Sequence, residues 1–291
     1  MKAVNILKGT PLAWTIIKYC KDLPKIDAPR TAGDFETERA VIADFTGRWV
    51  DDVTRAYDIH FVIDGCENVP EGPCVVIANH QGAFDVMAVI RALRGHQIGF
   101  IAKKDFAKVP ILGRWIKAIR GIFITRGDAR ESLKTIQEGI GLLKDGFSLA
   151  IFPEGTRSKD GSVREFKAGS FKLATKSKVP ILPVAIQGTS RIFEDSGVLT
   201  KGQTAYIRVL TPIETADMPR SEQATVHTRI QALIEQAVGE LKLKEAPECG
   251  STDRFGVNRE IDTAKTCAEN PDHDISFNNN DNSNGKSGHA I

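Results

Sequence analysis

The chain has no apolar run long enough to be a membrane-spanning helix. None of its uninterrupted hydrophobic segments approaches the roughly 20 residues that such a span needs. The apolar segment Pro11-Leu12-Ala13-Trp14-Thr15-Ile16-Ile17 is too short to span, and no small-residue cleavage site follows it, so a secretory signal is not expected. Cysteine is scarce. Cys20, Cys66, Cys74, Cys249 and Cys267 are scattered without metal-ligand spacing or a disulfide framework, which points to a reducing compartment. The phosphate-binding loop G-x-x-x-x-G-K-[ST] and the nucleophile elbow G-x-S-x-G are both missing. His60, His96, His227, His273 and His289 show no metal-type spacing. No cofactor, no metal and no nucleic-acid partner are therefore expected.

What is present is ordinary in bulk and uneven in detail. Hydrophobic residues make up 41% and charged residues 26% of 291 residues, enough for one sizeable domain with extensions. The net charge of +2 hides a basic front end, +4 over residues 1–30, and an acidic back end, −5 over residues 245–291. A basic apolar segment containing Trp14 and Tyr19 suits a membrane interface. Packing on the protein's own core would explain it as well.

Residues 34–57 read as an amphipathic helix. Asp34 is its N-cap, and Ile42, Phe45, Trp49, Val53 and Ala56 form one apolar face. From residue 59 short apolar runs alternate with helical patterns. The strands are expected at 59–63, 74–78, 98–102, 121–125, 147–152, 181–186 and 206–210, the helices at 84–93, 105–119, 128–144, 166–177 and 221–243. That alternation predicts an α/β fold: a mixed, mostly parallel sheet flanked by helices and preceded by N-terminal amphipathic helices. The expected organisation is a helical membrane-interface segment at 1–58, an α/β domain at 59–244 and a disordered acidic tail at 245–291. The tail is rich in Asn, Asp, Ser and Gly and too poor in hydrophobics to offset its ordering entropy.

Four stretches carry candidate chemistry. In Asn79-His80-Gln81-Gly82-Ala83-Phe84-Asp85 a histidine and a carboxylate follow an apolar strand and precede a helix. A histidine whose tautomer is fixed by a carboxylate can serve as a general base. Five residues apart on one helix, the two would lie about 140° apart. They can meet only across a turn, which Gly82 would ease. A polar turn with Asp85 at the positive end of the helix dipole explains the pattern equally. In Phe152-Pro153-Glu154-Gly155-Thr156-Arg157-Ser158, Pro and Gly force a loop, Arg157 offers a planar donor fork for phosphate, and Glu154 is placed to position that arginine. A charged surface turn is the alternative. Gly121–Arg126 is a strand ending in an arginine, which a chance surface arginine explains on its own. Val179–Val184 is a strand flanked by prolines, which favours an edge or irregular strand; it could line an apolar groove, and core packing explains it as well. Lys103 and Lys104 follow a further strand. If the sheet is parallel, these strand ends share one edge. That edge would hold a base beside a cationic pocket, for a substrate with a hydroxyl to deprotonate and a phosphate to hold.

Taken in order, the four stretches resemble the four blocks of the glycerolipid acyltransferases, over about residues 60–215, and are most similar to those of the bacterial 1-acylglycerol-3-phosphate acyltransferases. Gly82-Ala83 stands where many members carry Ser-Asn, and Phe84 where many carry Trp. The resemblance implies that His80 deprotonates the free hydroxyl of a lysophospholipid and that Asp85 orients His80. Arg126 and the loop Glu154, Gly155, Thr156 and Arg157 would hold the glycerol phosphate, supported by Lys103 and Lys104. The hydroxyl oxygen would attack an acyl thioester, acyl-CoA or acyl carrier protein, which is a co-substrate and not a cofactor. The expected product is phosphatidic acid. Another lysophospholipid, or a lysolipid with an amino-acid head, would keep the same chemistry, and a silent lipid-binding protein is the alternative of another class. The resemblance also implies association with a membrane surface on its cytoplasmic side, through the N-terminal segment.

Overall fold

The structure, a computed structural model, describes residues 11–125 and 129–245. Three helices come first: α1 (Pro11–Cys20), α2 (Leu23–Ala32) and α3 (Phe35–Tyr57). Then follow β1 (His60–Asp64), β2 (Val75–Ala78), α4 (Asp85–Ala92), β3 (Ile98–Lys103), α5 (Pro110–Ala118), β4 (Ile122–Ile124), α6 (Ala129–Lys144) and β5 (Ser148–Ile151). The remainder is α7 (Lys172–Ser177), β6 (Ile181–Gln187), the one-turn α8 (Ser190–Phe193), β7 (Thr204–Val209) and α9 (Arg220–Glu245). The expected helix 105–119 is split into a 3-10 turn, Lys104–Lys108, and α5. Pro110 has no N–H to continue a helix, and its fixed φ suits the first position of a new one. Asp34 caps α3 as expected, its carboxylate accepting the Thr37 N–H at 3.0 Å.

Seven strands form one mixed sheet in the order β1-β7-β6-β2-β5-β3-β4. Every adjacent pair is parallel except β6 and β7. The carboxyl ends of β2, β3, β4, β5 and β6 therefore lie along one edge, where ligand sites gather in such sheets.

The fourth block corrects one expectation. Its strand, β6, is interior, between β7 and β2, not at an edge. Pro183 is tolerated there because of where its nitrogen faces. Leu210 donates its N–H to the Pro183 carbonyl at 2.9 Å, so the imino nitrogen also faces the β7 side. The β6–β7 ladder has its last register pair at Val184 and Val209, so no ladder bond is lost.

Strand residues alternate between two cores. Val76, Ala78, Phe100, Ala150 and Leu182 pack under the N-terminal helices, α4 and α5, together with Ile16, Tyr19, Leu23 and Ile26. Val75, Ile77, Leu149, Ile181 and Ala185 pack under α7 and α9 on the other face. Helices α1 to α3 thus share one core with the sheet, and their apolar residues do what the core-packing reading required. A buried ion cluster ties them down. Glu38, fully buried, accepts from Arg30 Nε at 2.8 Å and from Arg120 Nε and Nη2 at 2.6 Å each. Among the described residues no helix is long and apolar enough to cross a membrane. Cys20 and Cys74 are free, but Cys66 is disulfide-bonded, against the expectation drawn from the scattered cysteines. Spacing along a chain does not limit which cysteines meet in space.

Candidate active site

Strand β2 stops at Ala78, and Asn79 ends it by imitating a strand residue. Its side-chain amide donates to the Ile186 carbonyl at 2.9 Å and accepts the Ile186 N–H at 2.8 Å. Residues 80–84 then turn, and α4 begins at Asp85 itself. The turn brings the expected pair together: His80 Nδ1 lies 2.7 Å from Asp85 Oδ2. A carboxylate at Nδ1 assigns the proton to that nitrogen and leaves Nε2 as the free acceptor. His80 also stacks on Phe152 from the end of β5, with ring centroids 4.3 Å apart.

The backbone amides of residues 80–83 all end on carboxylates. His80 N–H donates to Glu154 Oε1 at 2.8 Å. Gln81 and Gly82 donate to Asp85 Oδ2 at 2.6 and 2.9 Å. Ala83 donates to Glu194 Oε1 at 2.8 Å. Thr189 Oγ1 completes Asp85 by donating to its Oδ1. Four donors on one buried carboxylate fix its position and hence the ring it orients. Gly82 is needed here for space and not for a left-handed backbone. A Cβ at position 82 would lie 2.4 Å from Glu194 Oε2.

The second loop meets the first. Ser158 N–H donates to the His80 carbonyl at 2.8 Å, so the loop after β5 is tied to the base. Gly155, at φ +70°, makes its sharp bend. Glu154 is buried beneath His80 and does not hold Arg157. Burial pushes its carboxyl up to about 7, against the lowering effect of the His80 and Arg164 backbone N–H groups. The partner of Arg157 is Glu194, with Nη1 2.6 Å from Oε1. Burial also raises the Glu194 carboxyl, with Asp85 adding to the effect and Ala83 and Arg157 opposing it.

A cavity of about 380 Å³ opens beside this cluster. Its polar lining is His80, Lys103, Thr156 and Arg157, and its apolar walls include Ala83, Val86, Met87, Phe100, Phe152 and Trp115, with Ile16 of α1 and Trp49 of α3. A larger hollow of about 460 Å³, lined by Lys18, Asp22, Arg48, Asp52 and neighbours, contains none of these residues and is laced by ion pairs. We assign the chemistry to the smaller cavity because only it joins His80 to a cationic group.

The structure thus gathers His80, Asp85, Thr156, Arg157 and Lys103, with Glu154 and Gly155 supporting them from behind. Lys103 also pairs with Asp105. Lys104 turns aside to Glu131 at 3.4 Å. Arg126 lies outside the described residues. Sequence reasoning missed Asn79 and Gln81 as anchors, and Thr189 and Glu194 altogether. The one available signal was polar Gly188-Thr189 directly after a buried strand, at the same sheet edge as His80.

Residues 60–187 match the Acyltransferase family model. A chloroplastic 1-acyl-sn-glycerol-3-phosphate acyltransferase of Brassica napus, BAT2, is 35% identical over 150 residues, covering 50% of this chain and 43% of that protein. A 1-acyl-sn-glycerol-3-phosphate acyltransferase of Borreliella burgdorferi is 28% identical over 186 residues, covering 64% of this chain and 74% of that protein. The crystal structure of PlsC, the 1-acyl-sn-glycerophosphate acyltransferase of Thermotoga maritima, superposes with a TM-score of 0.64 at 25% identity, covering 83% of this chain and 98% of that one. This chain spans less than half the length of the chloroplast relatives it matches. Over residues 60–187, less than half of its length, the chain is similar to the acyltransferase family.

Proposed function

We propose that this chain transfers a fatty acyl group from a thioester, acyl-CoA or acyl carrier protein, to the free sn-2 hydroxyl of 1-acyl-sn-glycerol-3-phosphate, giving phosphatidic acid. The observation that carries the reading is the His80–Asp85 pair, 2.7 Å apart, on an apolar cavity whose polar lining includes Arg157. The relatives' names support the acceptor, since each is called a 1-acyl-sn-glycerol-3-phosphate acyltransferase.

In this mechanism His80 Nε2 takes the proton of the acceptor hydroxyl as its oxygen attacks the thioester carbonyl carbon. Asp85 holds the imidazole in the Nδ1–H tautomer and stabilises its cation. The C–S bond of the tetrahedral adduct then breaks, and the thiolate leaves with the proton that His80 returns. No acyl-enzyme forms. Arg157, with Lys103 and Arg126, would hold the phosphate, and the apolar cavity would take a fatty chain. The N-terminal segment would rest on a membrane surface, on its cytoplasmic side.

The test is thiol release from acyl-CoA with lysophosphatidic acid as acceptor. His80→Ala should lower the rate by about 10²- to 10⁴-fold, the range for a positioned general base. An unchanged rate would exclude His80 as the base, and wild-type protein inactive on lysophosphatidic acid but active on another lysolipid would move the acceptor.

A further inference from the structure

We propose that Glu194 is an internal stand-in for the substrate's phosphate: its carboxylate occupies an oxygen site made by the Ala83 N–H and the Arg157 guanidinium, and it yields that site when the acceptor binds. The inference rests on the reading above, in which Arg157 holds the acceptor's phosphate, and it deepens it.

Three observations converge. First, one carboxylate oxygen, Glu194 Oε1, takes both donors, Ala83 N at 2.8 Å and Arg157 Nη1 at 2.6 Å. Both donors belong to residues that line the His80 cavity, whereas Glu194 itself is not part of the lining. The two donors therefore converge on a point behind that lining, which the departure of Glu194 would open to the cavity. Second, the other oxygen, Oε2, is buried and has no hydrogen-bond partner among the described residues. It lies over Gly82, where a side chain would otherwise sit. A half-satisfied buried carboxylate is a poor permanent occupant, because its desolvation is only partly compensated. A phosphate keeps more oxygens for the same donors, and Glu194 regains hydration on leaving. Third, Glu194 caps the one-turn α8, which runs into the exposed stretch Asp195–Val198, so its side chain has solvent to move toward. Burial already favours its neutral form, which binds Arg157 less tightly.

A rigid buttress would look similar at rest but behave differently. If Glu194 held Arg157 in place for the substrate, removing its charge would weaken phosphate binding. If it stands in for phosphate, the same change removes a competitor and strengthens binding.

The experiment is calorimetric titration of the full chain with glycerol 3-phosphate. Glu194→Gln keeps an acceptor for the Ala83 N–H and deletes the charge that competes for Arg157. The expected result is a Kd lower than wild type by about fivefold or more, with the gain lost when Arg157→Ala is added. Gly82→Ala attacks the same contact from the other side. Its Cβ would displace the flexible end of Glu194, and Kd should fall in the same direction. Thermal unfolding establishes that each variant is folded. An unchanged or raised Kd in folded Glu194→Gln overturns the proposal, as does a gain that survives Arg157→Ala. Wild-type thiol release with lysophosphatidic acid is measured in parallel. If it persists while the binding result is negative, only the stand-in role falls. If it is absent as well, the acceptor assignment falls with it.

Discussion

Thr189 donates its hydroxyl to Asp85 Oδ1 across 104 residues of sequence. It joins the segment after β6 to the carboxylate that orients His80. Both residues are fully buried, with exposure of 0%. Thr189→Val keeps the shape of the side chain and removes the donor, leaving a buried carboxylate oxygen short of a partner. The expected result is a loss of kcat of about tenfold with little change in the acceptor's KM, since about 1–3 kcal/mol rides on such a bond. Thr189→Ser, which keeps the donor, should restore kcat. A kcat that falls equally in the serine variant would mean that Thr189 acts by packing alone.

Glu154 makes stability depend on pH in a direction that can be stated. Burial raises its carboxyl to about 7 in the fold, from an ordinary value of 4.5. The folded state therefore keeps its proton after the unfolded chain has lost it. The stabilisation from this group is complete below 4.5 and is lost as pH rises through 7. Glu154→Gln keeps the acceptor for the His80 N–H and cannot ionise. Relative to wild type, the variant should gain on the order of 2 kcal/mol between pH 4.5 and 8. Denaturant unfolding at the two pH values measures this, and a wild-type-minus-variant difference that does not move with pH contradicts it.

The legible part of the site was the part that sits next to itself in sequence. His80 and Asp85 share one turn, and Phe152–Ser158 is one loop, so each stretch could be singled out as a unit, and their order along the chain carried the resemblance that assigns them roles. Their convergence followed from strand alternation, because parallel strands put their carboxyl ends on one edge. What could not be read were contacts set by strand order. Arg157 looked as if it belonged to Glu154, three residues away, yet Glu154 faces the His80 amide and Glu194 arrives from beyond β6. Gly82 looked like a backbone hinge, yet its role is to leave room for that same glutamate. Pro183 argued for an edge strand, and only the early end of β7 explains its interior place. In each case the reading failed at the neighbour, which the fold supplies and the local sequence does not show.

The cavity predicts a dependence on chain length. Val86 lines it and is partly exposed, so a larger side chain there intrudes on the cavity without overfilling the closed core. Val86→Trp should lower kcat/KM for long-chain acyl donors by at least about tenfold and leave short-chain donors within about twofold, which asks about 1–3 kcal/mol of the lost apolar contact. Steady-state rates across a donor series measure this. A uniform loss at every length would place the fatty chain elsewhere.

The N-terminal helices should be inseparable from the catalytic fold, and Glu38 is where to test it. It is fully buried and holds Arg30 of α2 and Arg120, which precedes β4 at a φ of +64°. Arg30 also donates from Nη2 to the Ala118 carbonyl at 2.5 Å, and Arg120 lies over the Phe147 ring at 4.6 Å. Glu38→Ala leaves two guanidinium groups half-buried with their shared anion gone. Removing one partner of a buried ion cluster costs about 3–5 kcal/mol. These two arginines retain some access to solvent, so the lower end applies, about 3 kcal/mol in denaturant unfolding. Because α1 and α3 supply Ile16 and Trp49 to the cavity wall, the loss should extend to function. Activity of Glu38→Ala should fall at temperatures below its global unfolding, as α2 loosens and the wall follows. Wild-type activity retained up to the variant's own unfolding midpoint would show that the helices can detach without the site noticing.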